Sequence, residues 1–157
     1  MKVELWFVGK TSFPYLQTGI EIYEKRLKHY IPFKIEVLAD LKNTKNLQAN
    51  QVKEKEGAMI LKKLSPQDHL LLLDENGKQY DSVAFSNFLE NKLQTSAKRL
   101  VFLVGGAYGF SDAVYQRANG KLSLSKMTFS HQMVRLFVVE QIYRGMTILR
   151  NEPYHHV

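Results

Sequence analysis

The chain has 157 residues, of which 45% are hydrophobic and 24% charged, as in ordinary globular proteins. It contains no cysteine, which excludes disulfides and thiolate chemistry, and no apolar run approaches the roughly 18 residues of a membrane span. The net charge of +7 favours a polyanionic partner such as nucleic acid, with a merely solubilising basic surface as the alternative. The start, MKVELWFVGK, predicts a strand and no signal peptide. We expect one domain over residues 1–157 and a cytoplasmic location.

Short apolar runs alternate with segments of helical period along the chain. The predicted strands are residues 3–8, 33–37, 69–73, 100–104 and 122–124. The predicted helices are residues 15–30, 52–64, 82–93, 111–118 and 131–150. The third and fourth strands, HLLLL and LVFLV, are continuously apolar, which is typical of strands buried on both faces. This alternation predicts an α/β fold with a mainly parallel sheet flanked by helices.

Polar residues mark the ends of several elements. The sequence DENG at residues 74–77 predicts a turn that leads away from the third strand. Ser82 and Ser111 precede apolar helical segments and are the predicted N-caps of those helices. The polar residues 40–51 predict a loop.

A glycine-rich segment, GGAYG, runs from Gly105 to Gly109 after the fourth strand. Glycine lets a ligand approach the backbone closely, although a plain tight turn is an equally good interpretation. The segment matches neither the GxGxxG dinucleotide pattern nor the P-loop, so it does not indicate a nucleotide cofactor. In parallel sheets ligands bind outside the carboxyl ends of the strands. The turns after Leu73, Val104 and Ser125 are therefore the candidate binding segments.

The segment LSLSKMTF, residues 122–129, offers backbone hydrogen-bonding groups that could meet an adenine edge. Leu124 and Met127 would be the apolar walls of such a site. An edge strand with solvated serines is the alternative interpretation.

The C-terminal segments carry titratable and aromatic groups. Glu140 and Arg144 are four residues apart on the last predicted helix and can pair on one face. An exposed pair of this kind is commonly worth only about 0.3–0.5 kcal/mol. The chain then ends with Tyr154, His155 and His156, followed by a valine. Two adjacent histidines without further converging ligands do not make a metal site, so no metal is expected.

Taken together, these segments resemble one family. The segments that carry the resemblance, in order, are MKVELWFVGK, IYEKRL, VKEKEG, GGAYG, LSLSKMTFSHQMVR, EQIYR and PYHH. The whole chain resembles the SPOUT class of methyltransferases, which have the α/β-knot fold. Within that class it resembles the RlmH type, which methylates N3 of a pseudouridine in large-subunit (23S) ribosomal RNA. Gly145 and His156 are small departures from that pattern.

The resemblance implies a C-terminal trefoil knot, a cytoplasmic homodimer and S-adenosylmethionine as cofactor. It implies ribosomal RNA in the assembled ribosome as substrate, with no membrane and no metal. The residues implied to bind the cofactor are Leu73, Gly105, Leu124, Ser125, Lys126, Met127, Thr128 and Phe129.

The resemblance also motivates catalytic roles at the C-terminus. Tyr154 and His155 would approach the target base, with His155 as the general base. Arg144 would stabilise charge on the base carbonyls, and Glu140 would orient Arg144. The residues expected to contact RNA phosphates are Arg117, Lys121, Lys126 and Arg135.

Two other functions remain open on the sequence. One is a non-catalytic RNA-binding or ribosome assembly factor of the same fold, which would need the basic surface but no cofactor pocket. The other is a small-molecule enzyme that binds a nucleotide at the glycine turn.

Overall fold

The computed structural model describes residues 1–156 and contains a five-stranded sheet in which every strand pair is parallel. The elements in chain order are β1 (Lys2–Val8), α1 (Pro14–Leu27), β2 (Phe33–Leu38), α2 (Ala49–Lys63), β3 (Asp68–Gln79), α3 (Ser82–Leu93), β4 (Arg99–Val104), α4 (Asp112–Arg117), β5 (Gly120–Ser123) and α5 (Met133–Leu149). The strand order is β2-β1-β4-β3-β5. The predicted α/β fold with a parallel sheet is confirmed.

Two hydrophobic cores cover the two faces of the sheet. Alternate side chains of β1 point to opposite faces of the sheet. Leu5 and Phe7 pack in the first core, and Trp6 and Val8 pack in the second. Helices α1, α3 and α5 supply the first core, and α2 and α4 supply the second. Both faces of β3 and β4 are therefore buried, which explains why these strands read as unbroken apolar runs.

Strand β3 is longer than the sequence indicates. The predicted turn at residues 74–77 is wrong, because the strand continues to Gln79. An irregularity in the pairing lets Leu122 of β5 pair with both Leu73 and Lys78. A Cβ atom on Gly77 would lie 2.6 Å from the backbone carbon of Lys121, so glycine permits this close approach of the two strands. Residues 74–77 thus have no partner in the pairing with β5, and β3 resumes its pairing at Lys78.

The start of α3 also differs from the prediction. Asp81, not Ser82, is the N-cap, and its carboxylate accepts a hydrogen bond from the Ala84 N–H at 2.7 Å. The Ser82 hydroxyl instead donates to the Gln141 side chain at 3.0 Å. Both residue types are good caps, so their sequence gives no basis for a choice. The predicted cap at Ser111 is confirmed by its acceptance of the Val114 N–H at 3.3 Å.

The first helix ends at Leu27, three residues before the predicted boundary. Residues 28–30 form a turn that directs the Tyr30 side chain to Glu152, near the C-terminus. Within residues 1–156, no helix combines the length and hydrophobicity that a bilayer span requires. The trefoil knot stays a prediction that rests on the family resemblance.

Candidate active site

A cleft of about 480 Å³ lies beyond the carboxyl ends of β4 and β5 and beside residues 73–76 of β3. These three strands are neighbours in the sheet, so the segments that line the cleft meet at one edge. The cleft is bounded by residues 73–76 of β3, the glycine turn after β4, and the segment between β5 and α5. Its apolar walls include Leu73, Val104, Leu122, Leu124 and Val134. The volume falls in the range of small-molecule sites.

The structure brings together seven of the eight residues predicted to bind a cofactor. The residues that line the cleft are Leu73, Gly105, Leu124, Ser125, Met127, Thr128 and Phe129. Lys126 is the exception, because it is exposed and does not line the cleft. The three candidate binding segments thus converge on one cavity.

The glycine turn forms one wall of the cleft through its backbone. The Gly109 N–H donates a hydrogen bond to the Gly106 carbonyl at 3.2 Å, which closes a tight turn. Gly109 has a φ of 83°, a conformation that favours glycine. The segment therefore forms a tight turn and also lines the cleft.

Two acidic residues from the segment that was predicted to form a turn give the cleft its negative charge. The Tyr115 hydroxyl donates to Asp74, and the Thr128 hydroxyl donates to Glu75. Burial, followed by the hydrogen bond to Asp74, raises the pKa of Tyr115 to about 12. Among the described residues that line the cleft there is no lysine or arginine. Two acids directly after a doubly buried strand were the available sequence signal.

The lining of the cleft determines which ligands it suits. Apolar walls, exposed backbone groups and two carboxylates suit a ligand with a flat heterocycle and positive charge. A nucleotide with several phosphates would meet acidic side chains and no basic partner. The cleft therefore fits S-adenosylmethionine, whose sulfonium and ammonium groups are cationic, better than it fits ATP or NAD.

A second group of side chains joins α5 to the C-terminal segment. Arg144 makes two hydrogen bonds to Glu140 Oε1, from Nε at 3.1 Å and from Nη2 at 2.6 Å. Its Nη1 lies 3.1 Å from Nδ1 of His155. The predicted pairing of Glu140 with Arg144 is confirmed, and the same arginine reaches the tail.

The contact between Arg144 and His155 defines the histidine tautomer. A guanidinium can only donate hydrogen bonds, so Nδ1 of His155 must be the acceptor. The proton of the neutral ring is then on Nε2, which is a donor. In this arrangement His155 offers an N–H group and has no free lone pair, which is unfavourable for a general base.

Tyr154 is held at the centre of the same group. Its hydroxyl donates to Glu140 Oε1 at 3.0 Å and lies 3.3 Å from the Tyr23 hydroxyl on α1. Burial and the hydrogen bonds to Tyr23 and Glu140 raise its pKa above the usual value for tyrosine. Tyr154 is therefore a neutral phenol near neutral pH.

A second cavity of about 560 Å³ adjoins the cleft and contains His155. Leu122, Ser123, Leu124 and Phe129 line both cavities, so a ligand in one would lie next to a ligand in the other. No described residue of the C-terminal segment lines the first cleft.

Arg135 is not available to bind phosphate, and that prediction is wrong. The side chain is 0% exposed and donates to the carbonyls of Val8, Gly9 and His131. Its sequence neighbours Val134 and Leu136 are apolar, but the carbonyls of Val8 and Gly9 that accept from it are distant in sequence and give no local signal. Of the other predicted phosphate contacts, Lys121 and Lys126 are exposed. Arg117 is partly buried and donates to two backbone carbonyls.

The parallel α/β sheet places an apolar cleft with two carboxylates beside a second cavity that His155 lines. Among the described residues, no group of three His, Cys, Asp or Glu side chains is placed to hold a metal ion.

A comparison with known protein families identifies the family to which the chain belongs. The profile described as "Predicted SPOUT methyltransferase" matches residues 1–155, and the chain belongs to the SPOUT methyltransferase family. A curated relative from Parabacteroides distasonis is 61% identical over 156 residues, which cover 99% of each chain. Relatives from Flavobacterium psychrophilum and Flavobacterium johnsoniae are 60% and 59% identical with the same coverage. All three are named "Ribosomal RNA large subunit methyltransferase H".

Proposed function

We propose that this protein uses S-adenosylmethionine to methylate N3 of a pseudouridine in large-subunit (23S) ribosomal RNA, on the assembled ribosome. The observation that carries the proposal is the position of an acidic and apolar cleft directly beside the cavity that holds His155. The names of relatives at 59–61% identity support the same substrate. A cytoplasmic homodimer with one catalytic domain belongs to this proposal.

The cofactor would bind in the cleft at the strand ends. Leu73, Leu124 and Met127 would contact the adenine, with Gly105 and the backbone of Ser125 and neighbouring residues as its polar partners. Asp74 and Glu75 would attract the cationic groups. When bound, the cofactor supplies an electrophilic methyl group on a sulfonium sulfur. Thr128 and Phe129 would complete the wall toward the second cavity, while Lys126 would face the RNA.

The C-terminal cluster would act on the target base. Arg144 and the Nε2–H of His155 are donors that can stabilise negative charge on the base carbonyls as the N3 proton passes to solvent water. Glu140 holds Arg144 by two hydrogen bonds, and Tyr154 holds Glu140 by a third. We therefore assign His155 a donor role in this arrangement. It could act as the base only after its contact with Arg144 is broken.

The ribosome would supply much of the recognition. Lys121 and Lys126 are exposed beside the cleft and are candidate phosphate contacts. A target base must be unpaired or flipped out to reach a cavity of this kind. A short chain with few such contacts is expected to bind an isolated stem-loop weakly.

Purified protein, labelled S-adenosylmethionine and two substrates test the proposal. We expect methyl transfer to ribosomes from cells that lack this protein and far less to a stem-loop of the same sequence. Calorimetry should detect S-adenosylmethionine and S-adenosylhomocysteine binding. Binding of ribosomes without any cofactor binding would instead favour a non-catalytic RNA-binding factor. Equal turnover on both substrates would contradict the role of the assembled ribosome.

A further inference from the structure

We infer that Glu56 and Gly57 of helix α2 hold the glycine turn in position for cofactor binding, with Glu56 as the positioning residue. The inference rests on the proposed function and adds to it a residue outside the cleft. Glu56 does not line the cleft, but its carboxylate lies against Gly106, which does. A side chain behind the turn therefore limits how far the turn can move away from a bound cofactor.

The carboxylate of Glu56 fills the space beside Gly106. A Cβ atom on Gly106 would lie 2.9 Å from Oε2 and 3.0 Å from Oε1 of Glu56. Gly109 of the same turn has a positive φ angle, whereas Gly106 does not. The missing side chain at Gly106 therefore permits the close approach of Glu56 and is not required by the backbone conformation.

Gly57 brings α2 close enough to the turn for this contact. A Cβ atom on Gly57 would clash with Oγ of Ser111 and lie 3.2 Å from Cγ2 of Val114, so glycine lets α2 pack closely on the start of α4. Ser111 is buried and caps α4 directly after the glycine turn. Helix α2 therefore contacts the chain within the turn, at Gly106, and just beyond it, at Ser111.

Glu56 is poorly suited to a purely structural role. Its Oε1 is buried and has no hydrogen-bond partner among residues 1–156. A buried carboxylate oxygen without a donor destabilises the folded state. Residues that lower stability in this way are typical of functional sites, where the local arrangement serves binding or catalysis. The contact with the turn gives Glu56 such a role.

The glycine turn can bind a ligand only through its backbone at the glycine positions, so its placement determines what it offers. Gly105, Gly106 and Gly109 all line the cleft. A shift of the backbone moves every group that these residues present, and binding groups must be held within about 0.5 Å of their productive positions. Without the side chain of Glu56, the turn could relax into the vacated space. We therefore expect weaker cofactor binding in a protein that is still folded.

A double-mutant cycle on cofactor affinity tests the contact. In calorimetry, Glu56→Ala should weaken S-adenosylmethionine binding roughly 5- to 50-fold, within the range of coupling between contacting residues. Gly106→Ala should weaken binding by a similar factor, because the added methyl group displaces the flexible carboxylate from the turn. The double variant should lose no more than either single variant, since both substitutions remove the same contact.

Two matched controls separate this contact from other effects. A Cβ atom on Gly109 would meet no atom within 4 Å, but its φ of 83° makes Gly109→Ala strained in the backbone. The losses from Gly109→Ala and Glu56→Ala should therefore multiply when the two are combined. Glu56→Gln keeps the size of the side chain and should bind the cofactor within about 3-fold of wild type. Glu54→Ala, at an exposed position of α2, should bind as wild type does.

Stability and ribosome kinetics distinguish positioning from a general loss of structure. The urea midpoint of Glu56→Ala should equal or exceed that of wild type, because the substitution removes an unpaired buried oxygen. At saturating cofactor, its KM for ribosomes should be unchanged. A Glu56→Ala protein with wild-type cofactor affinity overturns the inference, as does a double variant whose loss is the product of the losses from Glu56→Ala and Gly106→Ala. A wild-type protein that binds no S-adenosylmethionine overturns the proposed function itself.

Discussion

Helix α5 carries two arginines nine residues apart whose surroundings are opposite. Arg135, near the start of the helix, is 0% exposed and bonds to backbone carbonyls at the end of β1 and just before the helix. The side chain of Arg144, near the end, is 25% exposed and bonds to a carboxylate and a histidine in the tail. The partners of Arg135 lie within the folded core. Arg144 instead contacts His155, which lines an open cavity.

The comparison shows that arginine can stabilise the fold at one end of a helix and support a candidate site at the other end. Burial lowers the pKa of Arg135 to about 10, which still leaves it charged at neutral pH. Its charge is stabilised by carbonyl dipoles and by the Phe7 ring at 4.7 Å. Arg144 keeps Glu140 as its carboxylate partner. It also contacts His155, which lines the second cavity. Four predictions test the contrast, from the largest effect to the smallest.

Arg135→Met should produce the largest loss of stability. The substitution leaves three carbonyls at the carboxyl end of β1 and the start of α5 without a donor. We expect the free energy of unfolding to fall by about 3–5 kcal/mol in urea titrations. Arg26→Met, an exposed control on α1, should cost less than about 1 kcal/mol. Similar losses in the two variants would show that Arg135 is not a structural residue.

Arg144→Met should affect activity and leave the fold intact. We expect methyl transfer to ribosomes to fall roughly 10²- to 10³-fold, the usual cost of removing a charge-stabilising donor. The free energy of unfolding should change by less than about 1 kcal/mol, because the pair is partly exposed. Arg144→Lys keeps the charge but loses the fork of donors, so its rate should be intermediate. A rate equal to that of wild type in either variant would remove Arg144 from the site.

Tyr30→Phe should have a smaller effect on activity. The Tyr30 hydroxyl donates to Glu152, and this bond helps to hold the tail that carries Tyr154 and His155. Loss of one hydrogen bond should lower kcat/KM about 3- to 10-fold in steady-state assays. Tyr15→Phe alters an exposed tyrosine at the other end of α1 and is the control. Wild-type kinetics in both variants would show that the hydrogen bond from Tyr30 to Glu152 does not help to position the tail.

Glu56→Gln should show the smallest effect, and it depends on pH. Burial and the charge of Asp40 raise the pKa of Glu56, whose Oε1 has no hydrogen-bond partner among residues 1–156. A raised pKa means that the folded state binds the proton more tightly, so the carboxylate destabilises the fold as pH rises through that pKa. We expect the variant to be about 0.5–1 kcal/mol more stable than wild type at pH 8.

The pH dependence of that gain is the sharper part of the test. The advantage of Glu56→Gln should shrink toward zero at about pH 3, well below the ordinary glutamate pKa of 4.5, where the wild-type side chain is protonated in both states. Glu54→Gln, an exposed site on the same helix, should show no comparable trend in urea titrations. A gain of equal size at both pH values would mean that ionisation of Glu56 is not its cause.

The sequence predicted the parts of the structure that depend on local patterns. The apolar runs at residues 69–73 and 100–104 indicated doubly buried strands, and their neighbouring ends located the cleft. Residues 74–77 were misinterpreted because the strand resumes pairing with β5 after them, which depends on strand order and has no local signal. The burial of Arg135 also depends on which carbonyls the fold brings to it.

The chemistry of the tail could be only partly predicted. The four-residue spacing indicated the pair of Glu140 and Arg144, which the structure confirms. The contact of Arg144 with Nδ1 of His155 spans eleven residues and a chain reversal, so the tautomer could not be inferred from sequence.

The most direct test of the whole account is a map of methylated nucleotides in large-subunit ribosomal RNA from cells that lack this protein. Mass spectrometry should show the loss of one N3-methylpseudouridine, with restoration by the wild-type gene and not by the Arg144→Met gene. An unchanged methylation map in the deletion cells would contradict the account.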